Sequence, residues 1–193
     1  APEPENMYAP DHATWVEVPA LANTLCGLSR PIHFRGVCTV VLKLFMLAQP
    51  SLAVFGEKDW QQLAIIKKMV SDLNVPVEVV GRPIVREADG LALSSRNVYL
   101  TPEERAQAPQ IRKSLEMAAG LAAGGERDAA RIIEAVRGYL AEHLPTGEED
   151  YISIVDPAVL TKVDRIEDMA LCALAIRLGK ARLIDNILLK VGE

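Results

Sequence analysis

The chain has 193 residues, half of them apolar and 24% charged, with a formal net charge of −5 at neutral pH. That much apolar sequence can bury a real core and leaves room for one large or two small domains. The acidic balance argues against a broad nucleic-acid or anionic-membrane surface, so any basic patch is local.

The longest apolar run, around Val37 to Ala48, is broken by Lys43 and falls short of the ~20 residues a membrane span needs, so no membrane partner is expected. Cys26, Cys38 and Cys172 are odd in number and lack any CxxC spacing. They read as small buried residues in a reducing compartment, with the cytoplasm as the expected location. The opening APEPENMYAPDH has no initiator Met and no signal-type apolar stretch. It reads as an interdomain or inter-element loop, and the chain looks cut from a longer one.

In chain order, Thr14 to Val18 alternates as a short strand or extended segment and Pro19 closes it. A short helical piece to Leu25 follows. Ser29 to Gly36, SRPIHFRG, reads as a loop holding His33 and Arg35 together. His33 is as readily a structural histidine as a ligand-facing one. Val40, Val41, Leu44, Phe45 and Ala48 then fall on one helical face, in a helix that ends before Pro50.

Leu52 to Phe55 is the pattern of a buried strand, and Gly56 lets the backbone turn tightly after it. A helix is expected from about Asp59 to Asn74. Asp59 with Gln62 three residues on is a capping-box pattern, Gln61 can face solvent, and Leu63, Ile66, Val70 and Leu73 recur at helical spacing. Pro76 precedes a strand Val77 to Val80. Strands alternating with helices of this length form a parallel sheet with ligands at the carboxyl ends of the strands, where the turn Gly56 to Asp59 lies. Lys58 in that turn, beside the N–H groups and positive dipole end of the next helix, makes a site suited to phosphate. A solvated surface lysine is the plainer alternative.

Residues 85–97, VREADGLALSSRN, supply two serine hydroxyls and the forked guanidinium of Arg96 after a Gly-containing loop, a second phosphate-type cluster. A domain boundary is placed near Val85, giving residues 1–84 and 85–193. In the second part, Thr101-Pro-Glu-Glu starts a helix expected to run toward Gly120. Another begins at Asp128 or a neighbour and ends near Pro145. Tyr151 to Val155, Leu171 to Leu178 and Ala181 to Leu189 read as strands, the last two joined by a hairpin turn at Gly179-Lys180. This part is α+β. His12 and His143 read as surface structure, and no protein-bound metal site is expected.

HFRGV (33–37), FGEKDWQQL (55–63), VREADGLALSSRN (85–97) and IDNILL (184–189) closely resemble the pantothenate synthetase family, ATP-dependent ligases of pantoate and β-alanine. The resemblance covers essentially the whole chain, in order, but only the later part of such an enzyme. The family's first strands and its HxGH-type motif have no counterpart here. The resemblance implies a Rossmann-like nucleotidyltransferase-type sheet, incomplete at its N-terminus, followed by a smaller α+β lid domain. It also implies a homodimer.

By that resemblance, Gly56, Glu57, Lys58 and Asp59 form an ATP-binding turn with Lys58 at the phosphates, and Val85 meets the adenine. Leu93, Ser94, Ser95 and Arg96 form a KMSKS-like loop on the triphosphate. Lys58, Ser94, Ser95 and Arg96 would carry catalysis, with Mg²⁺ as the counter-ion of ATP. Gln62, His33, Val37, Val40 and Val41 would line the pantoate pocket, although core packing also accounts for the valines and capping for Gln62. Three positions depart from the family pattern: Ile32 for glycine, Leu93 for methionine and Trp60 for tyrosine. The reaction implied passes through pantoyl adenylate and releases pyrophosphate and AMP, and the 193 residues alone are expected to be inactive. Two other readings stay open: another nucleotidyl transferase of the same fold, and a non-catalytic binding or oligomerising piece.

Overall fold

Strand β1 (Leu52–Gly56) and strand β2 (Glu78–Arg82) pair in parallel, Leu52 opposite Glu78 through Gly56 opposite Arg82, with the intervening chain crossing over as a helix. The structure is a computed structural model describing residue 3 and residues 7–192. It divides into a unit ending at Arg82 and a second beginning at Pro83. Of the opening stretch 1–12 expected to be a loop, residues 1, 2 and 4–6 lie outside the described residues.

In the first unit, short helices α1 (Pro19–Ala22) and α2 (Cys26–Ser29) lead into α3 (His33–Ala48). A single 3₁₀ turn at Glu57–Asp59 then joins β1 to α4 (Trp60–Asp72). The α-β-α-β order is the one expected. Helix α3 stops at Gln49, whose φ of 47° and N–H bond to the Phe45 carbonyl make a left-handed cap just ahead of Pro50. Leu63, Ile65, Ile66 and Met69 bury the inner face of α4.

Thr14 to Val18, expected as a short strand or extended segment, belongs to no strand, and its Val16 N–H donates to Thr39 Oγ1 at 3.1 Å. Three expectations for this unit need correction. Strand β1 is not a buried one, since Leu52 and Val54 are exposed, and Gly56 ends it in an extended conformation instead of turning. The supposed loop from Ser29 to Gly36 already becomes helix at His33, because Gly36 within a first turn weakens a helix without ending it. Ile32 precedes it at φ −98° and ψ −3°, a conformation open to a β-branched residue, so no glycine is needed there. The buried face of α3 is also displaced. It runs through Phe34, Cys38, Thr39 and Phe45, whereas Leu44 and Ala48 are exposed.

In the second unit, α5 (Pro102–Gln107), α6 (Gln110–Ala123) and α7 (Ala129–His143) precede an antiparallel sheet ordered β3-β4-β5. Its strands are β3 (Gly147–Val155), β4 (Met169–Leu178) and β5 (Ala181–Lys190). The central strand β4 is buried at every residue from 170 to 176, so both of its faces are covered. Ile111, Leu115, Ile132 and Val136 of the helices pack with Ile154, Cys172, Leu174 and Leu189 of the sheet as one core.

Local chemistry accounts for the boundaries. Thr101 and Glu104 form a reciprocal capping box, Asp128 accepts from the N–H groups of Ala130 and Arg131, and Gly179 makes the β4–β5 turn at φ +54°. The single helix expected from Thr101 toward Gly120 is two, because Pro109 has no N–H with which to continue the ladder. His143 is surface structure at the end of α7, as expected, but His12 is not simply exposed. Its ring lies edge-on between Tyr8 and Trp15, with centroids 4.9 and 5.1 Å away.

Candidate functional site

The first cluster is built at the carboxyl end of β1. The chain leaves Gly56 in an extended conformation, makes the 3₁₀ turn with Lys58 at its middle, and enters the 13 residues of α4. The capping box expected of Asp59 and Gln62 is absent. Asp59 sits at φ −93° and ψ 59°, and no side chain caps α4. The helix's first N–H groups thus take no hydrogen bond from the Asp59 side chain, beside a half-buried Lys58. Gly81 on β2 allows the turn to lie close: a Cβ there would come within 2.9 Å of both Glu57 Oε1 and Leu63 Cδ2.

Of the two adjacent glutamines, Gln61 departs from its expected environment. Gln61 does not face solvent but is only 5% exposed. Its Nε2 donates to the carbonyls of Leu21 at 2.8 Å and Thr24 at 2.7 Å, while its Oε1 accepts from the Cys26 N–H at 3.0 Å. It thereby ties α4 to the α1–α2 segment, where Leu25 takes the unusual φ of 46°. Gln62 is half-buried and takes no part in a capping box. Val37, Val40 and Val41 lie half-buried on α3 outside its buried set, and His33 is the first residue of that helix.

The second cluster lies wholly in the second unit. Val85 and Leu93 are 67% and 57% exposed and joined by a Leu93 N–H to Val85 carbonyl bond of 2.9 Å. Ser94 caps a 3₁₀ turn, Ser95–Tyr99, by accepting from the Arg96 N–H at 3.2 Å, and Ser95 and Arg96 are exposed. Behind these residues lies a network the sequence did not reveal. Asn97 Nδ2 donates to Glu87 Oε1 at 2.7 Å and to the Ala92 carbonyl at 3.2 Å. Arg105 reaches Glu87 and Asp89 at 2.6 Å each. The Asn97 amide and then the Arg105 guanidinium hold the Glu87 carboxyl below its usual range, and Arg105 does the same for Asp89. Arg86 makes a two-pronged pair with the buried Asp185 of β5, at 2.6 and 2.9 Å, and donates to the Gly90 carbonyl. The charged run Arg86-Glu87-Ala88-Asp89 was the available signal for this network.

A lysine-bearing turn at the carboxyl end of a parallel strand, followed by a helix, places the first unit among α/β proteins, a class whose ligands commonly sit at strand ends. The model of the pantoate-beta-alanine ligase family matches residues 1–188. A pantothenate synthetase of Nitratidesulfovibrio vulgaris strain Miyazaki F is 67% identical over 192 residues, covering 100% of this chain and 68% of that protein. One from Thermotoga neapolitana is 52% identical over 188 residues, covering 97% of this chain and 67% of that protein. The crystal structure of pantothenate synthetase from Thermus thermophilus superposes with a TM-score of 0.90 at 46% identity, covering 95% of this chain and 66% of that one. Pantoate-beta-alanine ligase from Francisella tularensis, complexed with beta-gamma ATP and beta-alanine, superposes with a TM-score of 0.70 at 30% identity, over 95% of this chain and 61% of that one.

The chain belongs to the pantoate–β-alanine ligase family, of whose members it spans about two thirds of the length.

Proposed function

We propose that the protein condenses pantoate with β-alanine in an ATP-dependent, AMP-forming reaction. The observation that carries the assignment of roles is the turn Gly56–Asp59: a lysine beside the start of α4, where the N-cap residue Asp59 makes no side-chain cap hydrogen bond. Lys58 there neutralises the phosphates, with Gly56, Glu57 and Asp59 around the nucleotide. Val85 borders the adenine, and Leu93, Ser94, Ser95 and Arg96 engage the triphosphate. Gln62, with both a carbonyl and an NH₂ group, grips pantoate against Val37, Val40, Val41 and His33.

The chemistry asks for positioning and charge neutralisation rather than a protein nucleophile. The pantoate carboxylate attacks the α-phosphorus and pyrophosphate leaves with the electrons of the broken P–O bond. The β-alanine amine then attacks the acyl carbon, loses a proton and expels AMP. Mg²⁺ accompanying the triphosphate would supply further charge neutralisation, and the exposed Asp59 carboxylate is a group in the turn that would help hold it. The Cys38 and Cys172 thiols, both buried, suit a reducing cytoplasm, and a homodimer is proposed on family resemblance.

Pantoate-dependent exchange of labelled pyrophosphate into ATP tests this reading. In the full-length protein, Lys58→Ala is expected to slow exchange about 10²–10³-fold, the loss typical of one preorganised electrostatic contact, with little change in stability. An unchanged exchange rate would remove Lys58 from the reaction.

A further inference from the structure

We propose that Asn97 is a positioning residue for the arch Leu93–Arg96, an inference that rests on the reading of that arch as the triphosphate-binding segment. The loop before the arch is closed on itself. Leu93 donates to the Val85 carbonyl at 2.9 Å, Glu87 to the Leu91 carbonyl at 2.8 Å and Gly90 to the Glu87 carbonyl at 2.9 Å, with an antiparallel bridge between Arg86 and Ala92. Beyond Leu93 the ladder stops, and Ser94, Ser95 and Arg96 lie outside it, Ser94 capping the 3₁₀ turn Ser95–Tyr99. What returns the chain to the ladder is Asn97. Its amide NH₂ spans two points, the Glu87 carboxylate and the carbonyl of Ala92, and so fixes the distance between the two feet of the arch.

Each anchor is itself held. Arg105 on α5 fixes Glu87 from the opposite side and grips Asp89, whose Oδ1 accepts from the Leu91 N–H at 3.1 Å. Arg86 fastens the same turn to Asp185, a carboxylate whose side chain is 2% exposed. The Asn97 Oδ1 is buried and takes no hydrogen bond from the chain, so the side chain is held through its two donor bonds. Two serine hydroxyls and a guanidinium that must meet several phosphate oxygens together gain from such a fixed base, since ordering a loose arch would be charged against binding. Displacement of reacting groups by about 1 Å can cost about 10²-fold in rate.

The swap of donor and acceptor tests this in the full-length protein. Asn97→Asp sets a carboxylate against Glu87. Exchange is expected to fall by up to about 10²-fold with a raised KM for ATP and an unchanged KM for pantoate. Adding Glu87→Gln restores a donor–acceptor pair in the reversed sense, and recovery of about a tenth or more of the lost rate is expected, on the same scale of misplacement. Asn97→Ala, which removes the donors without adding charge, gives the same KM split should Asn97→Asp fold poorly. A merely structural role would lower the thermal midpoint and move both KM values together without recovery in the pair, and that result overturns the inference. Arg96→Ala, run in parallel, separates the two levels. If it leaves the KM for ATP unchanged, the reading of the arch fails and the inference with it. If it raises that KM while neither Asn97 variant does, only the positioning role is overturned.

Discussion

Replacing Gln61 with alanine should destabilise the first unit far more than replacing its neighbour Gln62. Gln61 makes three hydrogen bonds to backbone groups of the α1–α2 segment. The Thr24 carbonyl keeps a second donor, the Gly27 N–H at 2.8 Å, but the Leu21 carbonyl and the Cys26 N–H each lose a short, buried bond. With about 1 kcal/mol net per bond, and more where a buried group is stranded, the expected cost is about 2–3 kcal/mol. Gln62, half-buried and not capping α4, should cost within about 0.5 kcal/mol. Urea denaturation of the two variants measures the difference, and hydrogen exchange at the Cys26 amide reports the specific bond, which should lose protection in Gln61→Ala alone. If Gln61→Ala shifts stability no more than Gln62→Ala and leaves the Cys26 amide protected, the clamp between α4 and the α1–α2 segment is not what holds that segment.

Gln62→Ala is expected instead to raise the KM for pantoate steeply while that for ATP moves little, because polar substrate atoms would be left unpaired; equal shifts in steady-state kinetics would refute the assignment. Burial pushes the Cys38 thiol up to about 11 and the Cys172 thiol up to about 12, so neither should react with a thiol reagent at pH 8 until denaturant is added. Glu87 and Asp89 are depressed below their ordinary values of 4.5 and 3.8, so the stability they contribute is fully present above those values and lost as pH falls through the lowered ones. Carboxyl titration by NMR should show both returning toward ordinary values in Arg105→Ala.

The parts of the fold most legible in the sequence were those with local punctuation. Thr101-Pro-Glu-Glu, Asp128 and the Gly179-Lys180 pair each impose a backbone preference that no distant contact reverses. Errors arose where a single local cue was allowed to settle a direction. Treating Asp59 as a cap put Gln62 in the box and Gln61 outside, yet adjacent helical residues point about 100° apart, so which one is buried depends on the rest of the face. Gln61, Ile65 and Met69 recur at four-residue spacing and are all buried, a pattern that outweighs the cap signal. Of the second cluster, the serines and Arg96 stood out as phosphate chemistry, whereas the roles of Asn97, Arg105 and Asp185 depend on partners 10, 18 and 99 residues away in the chain. No periodicity encodes such pairings.

The pair between Arg86 and Asp185 has a consequence for the order in which the protein is made. Strands β3, β4 and β5 pair with their neighbours in sequence, which favours rapid formation once they are available. Asp185, however, leaves the ribosome 99 residues after Arg86, a lag of about 5–20 s at ordinary elongation rates. During that interval the loop 86–97 can close its own turns and meet Arg105, but its fastening to β5 must wait for the last hairpin. A chain interrupted before Asp185 would therefore show the loss in the loop that emerged first in the second unit.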